Sequence, residues 1–158
     1  MADSKEIRLE DFPSRCQERQ SVIVSKDERN PQKHIARNNS AARVRHYKID
    51  GDVCPKGEQP RKCDFLLLND DKKHAYLIEL KGSIADWKDA KEQTESTKML
   101  LQSSLKGYTC FYRFVFGRGH GKTAGPYMSK FIAWREREKK RDGKDIVKWS
   151  NMQLEELI

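Results

Sequence analysis

A chain of 158 residues has room for one ordinary domain and little more. Its 36% hydrophobic and 35% charged residues fall into apolar blocks on a charged background. That pattern excludes an unfolded polyampholyte, and no run is long enough to cross a bilayer. The 32 Lys and Arg against 24 Asp and Glu leave a net charge of +8, which favours a polyanionic partner without identifying one.

Met1 to Asp11 lacks the apolar core of a signal peptide, so a cytoplasmic location is expected. The first forty residues are polar and read as helix and loop around Ser21-Val22-Ile23-Val24, a run that fits a strand or a helix edge. Ala42 to Asp50 alternates, with Val44, His46 and Lys48 on one side and Arg43, Arg45, Tyr47 and Ile49 on the other. This predicts a partly buried strand ending at the turn Asp50-Gly51-Asp52. A loop rich in Pro, Gly and charge follows, from Cys54 to Lys62. Residues 63–68 and 75–81, two apolar runs joined by the polar turn Asn69 to Lys73, predict a β-hairpin buried on both faces. Ser83 with Asp86 makes a capping-box signature. Trp87, Ala90, Thr94, Thr97, Leu101 and Leu105 then recur at helical spacing and predict a helix over 84–106, ended by Gly107. Cys110 to Phe116 predicts a strand and Gly117 to Gly125 a glycine-rich basic loop. Pro126 opens a helix over 127–141, and Ile146 to Trp149 is a last short strand. The order defines an α/β fold, a mixed sheet flanked by helices in one domain over 1–158 with its core at about 42–116.

Cys16, Cys54, Cys63 and Cys110 show no metal-binding spacing and read as free thiols, with a Cys54–Cys63 disulfide left open. Trp87, Trp134 and Trp149 read as packing. Gly121-Lys122-Thr123 imitates the end of a phosphate-binding P-loop, but Phe116 stands where that loop needs glycine.

The chemistry concentrates at Asp64, Glu79 and Lys81, three ionisable residues set in apolar strands. A buried charge costs several kcal/mol, on the order of that for any unpaired ion, unless it finds a partner or a metal. Glu79 and Lys81 are two apart and share a strand face. Pairing across the Asn69 to Lys73 turn brings Asp64 beside them. Two carboxylates at one sheet end suit Mg²⁺ or Mn²⁺, and an adjacent lysine can orient and deprotonate an attacking water. Arg43, Arg45 and Lys48 on the first strand, with Arg118 and Lys122 in the glycine-rich loop, are the cations expected to meet phosphates.

Asp64, followed fifteen residues later by Glu79-Leu80-Lys81 at a strand end, resembles the core signature of the PD-(D/E)XK nuclease superfamily. The resemblance covers residues 42–116 and implies a restriction-endonuclease-like fold with core order αβββαβ. It implies Mg²⁺-dependent cutting of phosphodiester bonds in DNA, in phage defence or DNA repair. Asp64, Glu79 and the Leu80 carbonyl would hold the metal and Lys81 would activate water. Gln93 resembles the polar residue that some members aim at the site, and one of Glu6, Glu10, Glu18 or Glu28 would add a carboxylate. Cys63 replaces the name-giving proline. An inert or partner-activated nucleic-acid-binding subunit of the same fold is the alternative, and a homodimer stays open.

Overall fold

The computed structural model describes residues 7–117 and 124–158. Leu9–Asp11 forms a 3₁₀ turn, and β1 (Val22–Lys26) then pairs antiparallel with β2 (Lys33–Arg37). The choice left open at Ser21 to Val24 therefore resolves as strand. The expected N-terminal helix is a correction: among the described residues no α-helix precedes the predicted first strand, so the leading α of the αβββαβ order is missing there. A hydrophobicity pattern could not reveal β2. It buries His34 and Ala36 and leaves Ile35 half-exposed, so its inward residues are not its apolar ones.

The centre follows the predicted order. β3 (Val44–Lys48), β4 (Phe65–Asn69) and β5 (His74–Lys81) pair antiparallel in sequence, with Phe65 opposite both Lys48 and Ile78. Every residue of β4 is buried, as the unbroken run Phe-Leu-Leu-Leu-Asn predicts for a strand covered on both faces. The Ser83 hydroxyl accepts the Ala85 N–H at 3.2 Å, but the turn it caps is a 3₁₀ turn, Ile84–Asp86. α1 (Trp87–Leu100) is shorter than the predicted 84–106, because the chain leaves the α-helix at Leu101 and continues as turns to Gly107. Leu101 and Leu105 still sit at helical spacing because both anchor one core.

β6 (Thr109–Phe116) lies parallel to β5, the geometry a helical crossover requires. α2 (Ala124–Glu138) begins before Pro126 and stops at Lys139, whose φ of 57° cannot continue a helix, so the predicted end at 141 is corrected. β7 (Lys140–Arg141) and β8 (Lys144–Asp145) form a small hairpin around Gly143. β9 (Val147–Asn151) joins β6 in parallel, and β10 (Gln153–Leu157), which the sequence did not suggest, joins β2 in parallel. The result is a mixed five-stranded sheet of order β3-β4-β5-β6-β9 beside a three-stranded sheet of order β1-β2-β10. No helix among the described residues is long and apolar enough to cross a membrane.

The main sheet carries a core on each face. One gathers Phe65, Ile78, Phe114 and Phe116 with Trp87, Phe131 and Trp134 from the helical segments. Trp87 stacks on Trp134 at 5.8 Å and Phe131 meets Trp149 edge-on, so the tryptophans pack as expected. The other core holds Leu66, Leu68, Leu77 and Cys63 against Leu101 and Leu105. All four cysteines are free thiols.

A buried ionic network ties the small sheet to the large one. Arg113, 1% exposed on β6, donates through Nε to both Glu156 carboxylate oxygens at 3.1 and 2.8 Å, and His34 Nε2 lies 2.8 Å from Glu156 Oε2. Arg113 also donates to the carbonyls of Tyr112, Asp145 and Ile146. Although burial opposes ionisation of Glu156, the His34 and Arg113 partners hold its carboxyl down at about 2. Removing its charge strands a buried guanidinium, so Glu156→Gln should cost about 3–5 kcal/mol in urea unfolding at neutral pH. Nearby, His46 bonds Ser25 Oγ at 2.8 Å and stacks on Phe65. Burial first, then Arg15 and His34, lower its ring from 6.5 to about 4. Between those values the unfolded chain binds a proton that the folded one refuses, so this residue's contribution to stability falls as pH drops from 6.5 towards 4. NMR titration of the ring should give a midpoint near 4.

Candidate active site

The β4–β5 register builds the site. One step beyond the Phe65–Ile78 pair, Asp64 stands opposite Glu79. The Leu80 N–H donates to Asp64 Oδ2 at 2.9 Å, which fixes the carboxylate on the end of β5. Glu79 is only 3% exposed, and Lys81 Nζ lies 3.8 Å from Glu79 Oε1. Backbone groups alternate sides along a strand. The Lys81 carbonyl is taken on the β6 side by the Gly117 N–H at 2.7 Å, so the Leu80 carbonyl faces Asp64. Three oxygen donors and one ammonium thus share a strand end.

The electrostatics of the pair are unfavourable by construction. Burial pushes the Glu79 carboxyl well above its ordinary range, the Asp64 charge pushes it further, and Lys81 only partly opposes them. Asp64 is likewise raised, chiefly by burial, against the stabilising Leu80 N–H. Glu79 Oε2 is buried without a hydrogen-bond partner. Such an orphaned acceptor calls for an explanation, and a cation or donor absent from the fold is the simplest one. Among the described residues no group of three or more His, Cys, Asp or Glu side chains gathers here or elsewhere, so the protein carboxylates number two.

Behind the site, Cys63 is a buried thiol. Its N–H donates to Thr97 Oγ1 at 2.8 Å, and that hydroxyl donates to the Gln93 carbonyl at 2.7 Å, so α1 is pinned to the start of β4. Burial above all holds the thiol well above its usual range, which makes it inert packing. Gln93 itself is buried and lines, with Arg61, Asp89, Glu92 and Ser96, a cleft of about 260 Å³. A larger groove of about 1350 Å³ runs past Glu92 and Met99 on α1 and Lys106 in the turns beyond it, and neither cavity is lined by Asp64, Glu79 or Lys81.

The other expected residues divide. Lys48 lies at the site end of its strand, but its pairing with Phe65 puts its side chain on the Phe65–Ile78 face, opposite to the face of Asp64 and Glu79. Arg43 and Arg45 do not lie at that end: Val44 pairs with Asn69, four positions or about 13 Å away along the strand. There Arg43 binds Asp71 at 2.9 Å and Arg45 binds Asp70 at 2.8 Å, so both are occupied at the far turn. Arg118, His120, Lys122 and Glu6 lie outside the described residues. Glu10 and Glu28 are exposed, and Glu18 sits by Arg43 at the far end, its carbonyl accepting the Val44 N–H.

Sequence reasoning missed Asp50 and Arg61. Asp50 is nearly buried, accepts the Gly57 N–H at 3.0 Å and lies 4.0 Å from Arg61. The Asp50 charge acts on Asp64 and the Arg61 charge on Glu79. Extending the β3 register would have found Asp50, since the Ile49 N–H bonds the Asp64 carbonyl. Arg61, in an irregular loop, gave no such signal.

No protein-family model, curated protein or solved structure matches the chain. The fold and the site define a class, a mixed α/β protein with a carboxylate pair, one member of it buried, and a lysine at one sheet end.

A charge held at such a cost is a stability liability. Glu79 is raised above its ordinary 4.5, so its unfavourable contribution is absent below that value and grows as pH rises towards the folded midpoint. Glu79→Gln should therefore raise stability by about 1–3 kcal/mol at pH 8 in metal-free buffer, and the gain should vanish below pH 4.5 in thermal unfolding.

Proposed function

We propose that the chain is a divalent-metal-dependent endonuclease of restriction-endonuclease-like fold that hydrolyses phosphodiester bonds in DNA. The observation that carries this reading is the half-buried Asp64 beside the buried Glu79, whose Oε2 is unpartnered, next to Lys81 on one strand face. Such a pair needs a shared proton or a cation to neutralise it, and a divalent cation would satisfy both carboxylates at once. The order of antiparallel β3-β4-β5, helix, and parallel β6 supports the fold assignment. The net charge of +8 supports a polyanionic substrate.

The donor set fits the group it would hold. Asp64, Glu79 and the Leu80 carbonyl present oxygen atoms only, which suits Mg²⁺, with Mn²⁺ as a substitute. When bound, a divalent cation supplies Lewis-acid charge at the scissile phosphate. Lys81 Nζ would orient the attacking water by hydrogen bond and, in its free-amine form, would take the proton the water loses and pass it to solvent. Arg61, whose charge acts on Glu79, would meet a flanking phosphate. Gln93 contributes an uncharged amide at the edge of the cleft. A cytoplasmic setting and a role in phage defence or DNA repair suit such a minimal unit.

Incubating the protein with supercoiled DNA, single-stranded DNA and RNA under Mg²⁺, Mn²⁺ or EDTA tests the reading. Cutting of DNA should need the metal and fall roughly 10²-fold or more in Asp64→Ala and Lys81→Ala. Parent-like cutting by those variants would reject the site. Salt-sensitive binding with no cutting by any form would assign the alternative, an inert or partner-activated nucleic-acid-binding subunit. In thermal unfolding, Mg²⁺ should stabilise the parent and leave Glu79→Gln nearly unmoved.

A further inference from the structure

We infer that Gln32 is a positioning residue for Lys81, and that through it the three-stranded sheet fixes the geometry of the site. The catalytic consequence rests on the nuclease reading; the contact itself does not.

Gln32 immediately precedes β2, far from the site in sequence, and is only 4% exposed. Its Nε2 donates to the Lys81 carbonyl at 3.1 Å. That carbonyl also accepts the Gly117 N–H at 2.7 Å, so both lone pairs are used and the peptide leaving Lys81 is held from two directions. Only the amide nitrogen can make this bond, which sets the orientation of the side chain. The other end, Oε1, is buried and unpartnered. A glutamine that leaves half its amide unsatisfied is a poor choice for packing alone, and methionine would fill the space without that cost.

The surroundings are shaped to admit it. A Cβ on Gly117 would stand 2.5 Å from Gln32 Nε2 and 2.6 Å from the Gly82 carbonyl oxygen. Gly117 is therefore glycine because Gln32 and the chain after Lys81 close over it. The Met152 N–H bonds the Phe116 carbonyl at 2.8 Å, and the Lys33 N–H bonds the Met152 carbonyl at 3.1 Å. These bonds clamp the ends of β5, β6, β9 and β2 together at the level of Lys81. Asp64 and Glu79 are positioned by the hairpin, while Lys81, at the open end of β5 beyond the reach of β4, is not. Pairing with Phe116 on β6 holds one side of Lys81, and Gln32 adds a second restraint from the small sheet on its backbone, so that Nζ stays beside Glu79.

Gln32→Met, which keeps length and bulk but removes the donor, is the direct test; Gln32→Glu is its isosteric second. In metal-free NMR spectra of Gln32→Met, the Lys81 carbonyl and Gly82 amide should shift and the Gly117 amide should exchange faster. Asp64 and the Leu80 amide should keep their parent positions. In cleavage assays kcat should fall about tenfold to a hundredfold in both variants while KM for DNA stays within about twofold. Unchanged Lys81 and Gly82 resonances, or parent kcat in Gln32→Met, would overturn the inference. So would a fall confined to KM. If the parent cuts no nucleic acid the nuclease reading fails, and the resonances still decide whether Gln32 holds Lys81.

Discussion

The register of β4 on β5 is the constraint on which the rest of the site depends. Side chains alternate faces with a period of two, so a slip of one residue would send Asp64 to the opposite face from Glu79 and Lys81. The register is secured by burial on both faces: Phe65 and Leu67 enter one core while Leu66 and Leu68 enter the other. A strand with two apolar faces does not itself choose between them. The choice is made at the hairpin ends, by the Leu80 N–H on Asp64 and by the polar turn at the other end, where Asn69 Oδ1 accepts the Lys72 N–H.

Much of this was legible in the sequence because the hairpin is local. Its two runs, its turn and the spacing from Asp64 to Glu79 lie within one short segment, and hydrophobic contrast marks every part of it. Legibility fails where contacts are long-range or where the buried residues are polar. β2 hides because its inward side chains are His34 and Ala36, and β10 because Gln-Leu-Glu-Glu-Leu buries a glutamate. The early end of α1 is equally silent, since Leu101 and Leu105 keep a helical period through non-helical turns. Arg45 misled for a related reason. Its position on β3 was read correctly, but nothing local showed that Asp70 claims it.

Two kinds of buried charge coexist in the fold. Arg113, Glu156 and His34 satisfy one another, and the low carboxyl of Glu156 reflects that balance. At Asp64 and Glu79 burial raises both carboxyls, and the Asp64 charge raises that of Glu79 further. The first arrangement holds two sheets together; the second costs stability at one end of β5. The contrast separates a satisfied ionic network from an unsatisfied carboxylate pair within one small protein.

The parallel pairing of β10 with β2 also has a consequence in time. His34 and Glu156 are 122 positions apart, and Arg113 precedes its carboxylate partner by 43. A growing chain therefore exposes the hairpin, α1 and the guanidinium of Arg113 well before β10 exists to close the small sheet. Until then β2 has an open edge, and the main sheet carries a cation facing a gap that only the late strand fills. The hairpin that carries Asp64 and Glu79 can form early, but the small sheet beside it is completed by the last strand in the sequence.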